Sequence, residues 1–157
     1  MDDVDMAILR TLRDEGRITL TDLADRVHVS RTNVHGRIAK LHDKGIVHGY
    51  TARIDTAKVG LPVAALVLIG VDQSQLDTLR DRLDSMASVE HWGLTMGAYD
   101  GFIMARVASV EELRRLLVDD LRTMPGITRT ESVLMIEETG PRQALPDSEE
   151  WQRHPTR

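Results

Sequence analysis

The chain contains no cysteine. That excludes a disulfide framework, a thiolate zinc centre and a cysteine nucleophile. Aromatic residues are nearly absent: Trp92, Trp151, Tyr50, Tyr99 and the lone Phe102 make up 3% of 157 residues. The cores must therefore be aliphatic, and stacking of single-stranded bases on aromatic platforms is not the main device. No long apolar run is present. The longest, Leu61 to Ile69, is far below the roughly 20 residues of a membrane-spanning helix. The opening Met1-Asp2-Asp3 is acidic rather than basic, so no signal peptide is read there, and a cytoplasmic protein without membrane partners is expected. Prolines number five, and three of them fall after residue 140, in a polar stretch that reads as a tail, either mobile or docked through Trp151.

What is present is charge, unevenly placed. Residues 1–25 carry three arginines against seven acids, and residues 61–157 carry ten arginines against sixteen acids. Between them, residues 26–53 carry six Lys/Arg against Asp43 alone. A basic island in a protein of net charge −5 marks where a polyanion can sit.

Hydrophobic spacing divides the chain. Val4, Ile8, Leu9 and Leu12 recur at helical period behind Asp2 and Asp3, and Gly16 stops the run. Thr19 with Asp22 reads as a capping pair for a second helix carrying Leu20, Leu23, Ala24 and Val27. Ser30 is an N-cap for a third, with Val34, Ile38 and Leu41 turned inward and Gly45 at its end. Ile46 to Ile54 reads as an extended connector. Val63 to Val71 is apolar at both parities, so both faces of that strand should be buried. Asp72 then caps a helix with Leu76, Leu79, Leu83 and Met86. Strands follow at Val89–Met96 and Phe102–Val107. Ser109 and Glu112 box the start of another helix, and Thr130–Ile136 is the last strand. The order β-α-β-β-α-β is the ferredoxin-like split βαβ, with helices on one face of a four-stranded antiparallel sheet. A second copy of the sheet is the expected cover for the other face.

Two short helices joined by a tight turn, the second basic outside, form a helix-turn-helix. Ser30, Arg31, Thr32, Asn33, His35, Gly36, Arg37 and Lys40 are the candidate DNA-binding set. Arg can bond guanine and Asn adenine bidentately, and Thr can meet either base type. Arg37 and Lys40 are read as phosphate contacts. Gly36 in mid-helix either permits close approach to a groove wall or is a tolerated surface glycine. His35 is a base contact, a phosphate contact or plain surface. His28 occupies the turn position where a left-handed backbone is usual, and His is among the residues that adopt it.

The series Asp5-x-x-Ile8-Leu9-x-x-Leu12, Asp14-x-Gly16-Arg17 and Leu23-Ala24-x-x-Val27-x-Val29-Ser30 continues through Val34-x-x-Arg37-Ile38-x-x-Leu41 to Gly45-Ile46-Val47-x-Gly49-Tyr50-Thr51-Ala52. With Gly97-Ala98-Tyr99-Asp100, Pro125-Gly126-Ile127 and Thr130-x-Ser132, it resembles the Lrp/AsnC, or feast/famine, family of transcription regulators over about residues 2–138. The resemblance implies an α+β chain. A winged-type helix-turn-helix domain at 1–50 and an extended linker at 51–61 would lead to a ferredoxin-like regulatory (RAM/ACT-like) domain at 62–138, with a tail at 139–157. It implies a homodimer assembling to a tetramer or octamer on double-stranded DNA, at a pseudo-palindromic operator, and a small-molecule effector, an amino acid being favoured. It places that effector at the loop Met96, Gly97, Ala98, Tyr99, Asp100 and Gly101, with Thr130 and Ser132, and Leu94 joins them as a neighbouring apolar residue.

In that site Asp100 would receive an ammonium group, and Gly97 and Gly101 would let backbone groups approach the ligand. Thr130 and Ser132 would donate to a carboxylate, with Leu94 and Met96 lining the side-chain end. The alternative is a tight hairpin in which Asp100 bonds its own turn. Ser132 and Ala98 depart from the family pattern.

No cofactor, metal or enzyme activity is expected. The histidines at 28, 35, 42, 48, 91 and 154 show no i, i+4 pair, and no phosphate loop or G-x-S-x-G is present. The competing class is a tetrapyrrole decarboxylase of Lrp/AsnC-like fold, with His48 or His91 as its candidates.

Overall fold

The computed structural model describes residues 1–138 and 143–146. They divide into two compact units. One is Met1–Arg53 with the C-terminal stretch that includes residues 143–146. The other runs from Ile54 to residue 138. Trp151, expected to dock the tail, lies outside the described residues.

The first unit holds three helices: α1 (Asp3–Asp14), α2 (Leu20–Arg26) and α3 (Arg31–Asp43). Each begins where a side chain can satisfy an otherwise unpaired helix N–H. Asp2 caps α1 in a reciprocal box, the Asp5 N–H donating to Asp2 Oδ1 and the Asp2 N–H to Asp5 Oδ2. Thr19 accepts from the Asp22 N–H at 3.1 Å and Ser30 from the Asn33 N–H at 3.2 Å, as their spacing predicts. His28 takes φ 55°, the left-handed backbone that turns α2 into α3. Met6, Ile8, Leu9, Leu23, Ala24, Val34 and Leu41 are buried together. Leu145 packs on this cluster, and Arg10 Nη2 donates to the Pro146 carbonyl at 2.7 Å. Beyond α3 no strand forms among the described residues until 63.

The second unit is a four-stranded antiparallel sheet of β1 (Val63–Val71), β2 (Val89–Leu94), β3 (Gly101–Val107) and β4 (Ile127–Met135), in the order β2-β3-β1-β4. Helices α4 (Leu76–Ser85) and α5 (Val110–Arg115) join the strands. Ala65, Val67, Ile69 and Val71 pack with Ile103, Ala105 and Val107 against Leu79, Leu83, Leu113, Leu116 and Leu121. This is the core that the apolar spacing implies.

Several boundaries differ from the sequence reading. Asp72 caps a single 3-10 turn, Gln73–Gln75, through Ser74, and α4 starts only at Leu76. After α5 the helix widens to π form over Leu116–Leu121. The wide turn lets Leu116 and Leu121, five apart, both face the sheet. β2 ends at Leu94, because the Thr95 N–H turns to donate to the Asp100 carbonyl at 2.8 Å. β4 begins three residues early, at Ile127, directly after the Gly126 turn.

The expectation that both faces of β1 are buried holds only in part. Ala64 is buried, but Leu66 and Leu68 are half-buried. Their cross-strand neighbours are Met104 and Phe102 on β3 and Val133 and Glu131 on β4. Val133 is 48% exposed. The helices pack on the other face, against Ala65, Val67 and Ile69.

Candidate functional site

Helix α3 follows a sharp turn and buries only Val34 and Leu41 fully. Ser30, Arg31, Thr32, Asn33, His35 and Lys40 are all exposed on it. Among the described residues, neither Arg31 nor Lys40 enters an ion pair. Both cations are therefore open to an outside anion. A Cβ built on Gly36 meets nothing within 4 Å, so packing inside the chain does not require glycine there.

Arg37 differs from the sequence reading. Its Nη1 donates to both carboxylate oxygens of Asp2, at 2.8 and 2.7 Å, and to Asp5 Oδ1 at 2.7 Å. Its Nε donates to Asn33 Oδ1 at 2.7 Å. The bonds to Asp5 and Asp2 hold the guanidinium more firmly protonated than usual. They hold the Asp2 carboxyl below its ordinary range too, the Asp5 N–H being the largest cause and Arg37 assisting. A guanidinium already shared by two carboxylates is a poor phosphate anchor. The expectation of a phosphate contact at Arg37 is revised on that ground.

The loop between β2 and β3 is closed by its own bonds. The Thr95 hydroxyl donates to the Tyr99 carbonyl at 2.7 Å. The Asp100 N–H donates to the Ile69 carbonyl at 2.9 Å, and the Asp100 carboxylate accepts from the Val71 N–H at 2.8 Å. The Asp100 side chain thus fastens the loop to the end of β1, while its carbonyl takes the Thr95 N–H within the turn. One carboxylate oxygen is committed and lone pairs on the other remain.

Gly101 has a packing reason to be glycine: a Cβ there would lie 2.7 Å from the Gly93 carbonyl oxygen and 3.3 Å from Ile69. Gly97 has open space around it. Met96 stands fully exposed and Leu94 exposed.

The register sets Gly101, Ile69 and Thr130 in one row across three strands. Thr130 and Ser132 alternate along β4 with Arg129 and Glu131, and so lie on the opposite face from them. Tyr99 goes with the second pair. Its hydroxyl donates to Glu131 Oε2, and the Arg129 guanidinium lies 4.3 Å from its ring centre while donating to the Ala98 carbonyl. The bond to Glu131, with burial, pushes the Tyr99 hydroxyl up. One chain therefore does not gather the nine effector candidates on a single face. Sequence reasoning missed Arg129 and Glu131. Their opposite charges two apart on a strand were visible, but not the loop they clasp.

His91 is exposed with its ring 5.7 Å from Phe102, and His48 is exposed in the other unit. Among the described residues no three His, Asp or Glu side chains are grouped to hold a metal ion. No helix among them is long and apolar enough to cross a membrane.

Comparison with known proteins accords with this architecture. Residues 1–48 match the family model for winged helix-turn-helix DNA-binding domains, and residues 64–145 match that for the Lrp/AsnC ligand binding domain. The HTH-type transcriptional regulator LrpA of Mycobacterium tuberculosis is 33% identical over 147 residues, covering 93% of this chain and 97% of that one. The leucine-responsive regulatory protein of Haemophilus influenzae is 27% identical over 141 residues, covering 88% and 85%. The crystal structure of the Mycobacterium LrpA superposes with a TM-score of 0.78 at 35% identity over 93% of this chain and 100% of that one. A transcriptional regulator of Neisseria meningitidis, solved in complex with L-Met, shares the fold with a TM-score of 0.88 at 22% identity, over 95% and 98%. Such relatives are named as regulators, which sets the chain apart from the tetrapyrrole decarboxylases. With both domains matched in order and a relative one-third identical along nearly its whole length, this chain belongs to the Lrp/AsnC family of DNA-binding transcriptional regulators.

Proposed function

We propose that the chain binds a pseudo-palindromic operator as a dimer and that an amino acid, bound at the β2–β3 loop, changes its assembly or spacing on DNA. The observation that carries the DNA half is the exposed row of Arg31, Thr32, Asn33, His35 and Lys40 on a helix whose other side is buried. Arg31, Thr32 and Asn33 lie near the start of α3, where recognition helices meet base edges, with Ser30 and Lys40 at the backbone. Cover of the open sheet face by a second copy would generate the two-fold axis that a palindrome mirrors. Tetramers or octamers would follow from contacts between dimers.

The effector half rests on the loop Met96-Gly97-Ala98-Tyr99-Asp100-Gly101 with Thr130 and Ser132. Asp100 keeps lone pairs for an ammonium, and the exposed Leu94 and Met96 suit an apolar side chain. The complex of the Neisseria regulator with L-Met supports an amino acid as the class. Since Thr130 and Ser132 lie across the sheet from Tyr99, a neighbouring subunit would complete the site.

Selection of bound duplexes from a random pool, with and without each of twenty amino acids, tests both halves. The expected product is a pseudo-palindrome with half-sites about one helical turn apart or a multiple, its spacing or occupancy altered by at least one amino acid. Asp100→Asn keeps an acceptor for the Val71 N–H and removes the charge, so it should abolish that response while leaving the selected sequence unchanged. An effector that acts equally on both proteins binds elsewhere.

A further inference from the structure

Asn33 and Arg37 stand at i and i+4 on α3, one above the other on the helix surface. The Arg37 fork spans two elements. Nη1 is tied to Asp2 and Asp5 at the start of α1, and Nε donates to Asn33 Oδ1 at 2.7 Å. Arginine carries only donors, so the Asn33 atom that meets it must be the amide oxygen. That settles which way the Asn33 amide is turned. Its oxygen faces Arg37, and its NH2 group is left for whatever approaches the exposed side of α3.

We infer that Arg37 is a specificity-positioning residue: held by Asp2 and Asp5, it locks the Asn33 amide so that α3 presents a hydrogen-bond donor to the base edge. Two carboxylates against one guanidinium leave the cluster net negative, which fits a brace and not a phosphate clamp. A presented donor suits the N7 and O6 acceptors of guanine, the N7 of adenine or the O4 of thymine. It disfavours cytosine, whose major-groove polar group is itself a donor. Without the lock the amide can flip and accept from cytosine as readily. Asp2 and Asp5 thereby take part in sequence choice although they lie at the start of α1, as its cap and in its first turn, outside the recognition helix. The inference rests on Asn33 being a base reader.

The test uses the full-length protein on a duplex library and measures base preference position by position, with salt dependence on the best duplex. Asn33→Ala identifies the position that Asn33 reads. Arg37→Lys keeps the positive charge but lacks the planar fork that reaches Asn33 and both acids together. It should lose most of the discrimination against cytosine there, about tenfold or more, with the other positions and the salt slope unchanged. The double variant Asp2→Asn/Asp5→Asn leaves α3 untouched and should give the same loss at the same position; it decides the matter if Arg37→Lys folds poorly. Full selectivity in these variants overturns the inference and leaves the reading of α3 standing. A salt slope lowered by about one in Arg37→Ala, uniformly over sequences, would make Arg37 a phosphate contact and overturn it too. An unchanged preference in Asn33→Ala overturns both the inference and the role proposed for Asn33.

Discussion

Replacing Leu66 by Glu tests whether a second copy covers the open sheet face. Leu66 lies mid-strand on β1, between Met104 of β3 and Val133 of β4. It is only half-buried in the single chain, so the substitution should leave the helix-side core of Ala65, Val67 and Ile69 intact. Burying the rest of a leucine is worth up to about 2 kcal/mol. A two-fold interface contains the residue twice, giving up to roughly 4 kcal/mol before any penalty for burying two carboxylates. At 1.4 kcal/mol per decade, the dimer dissociation constant should rise by about a thousandfold. Sedimentation equilibrium at micromolar concentration reads this directly. Wild type should be at least dimeric and Leu66→Glu monomeric, with unchanged helix and strand content by circular dichroism. A variant that stays dimeric, or a wild type that is monomeric at that concentration, refutes the argument from the uncovered face.

Gly36→Ala should raise folding stability by about 0.5–1 kcal/mol, since the new Cβ meets nothing within 4 Å and glycine is costly inside a helix. If α3 packs closely on a groove wall, operator affinity should fall at the same time; a stabler variant that binds as well removes the reason for glycine. The Asp2 carboxyl titrates below its ordinary 3.8 in the folded chain. Its contribution is therefore full above that value and is lost as pH falls through the lower folded one. Asp2→Asn should flatten the acid limb of urea-midpoint against pH, modestly because the group is half-exposed, and identical limbs would contradict the bonds from the Asp5 N–H and Arg37 that together lower it.

Features that depend on near neighbours were legible in the sequence. Thr19 and Ser30 cap helices three residues on, His28 supplies the left-handed turn, and apolar spacing gives the β-α-β-β-α-β order. Features that depend on distant partners were not. The acids that hold Arg37 lie 35 and 32 positions away, and nothing in the local pattern of α3 marks them. Arg129 and Glu131 reach Tyr99 and Ala98 only because register brings the loop beside β4. Gly101 looked like a ligand-approach glycine, whereas a neighbouring carbonyl 2.7 Å from its would-be Cβ is reason enough. The π-turn at Leu116–Leu121 answers to the sheet beneath it, not to its own composition.

We propose that α3 reads duplex DNA with Arg31 and Asn33 while Lys40 holds the backbone. A salt titration of operator and random duplex by fluorescence anisotropy, on wild type, Arg31→Ala and Lys40→Ala, tests it most directly. Arg31→Ala should lose about 1–3 kcal/mol on the operator and little on random duplex. Lys40→Ala should weaken both alike and lower the salt slope by about one. Wild-type affinity and slope in both variants would mean that neither Arg31 nor Lys40 touches DNA.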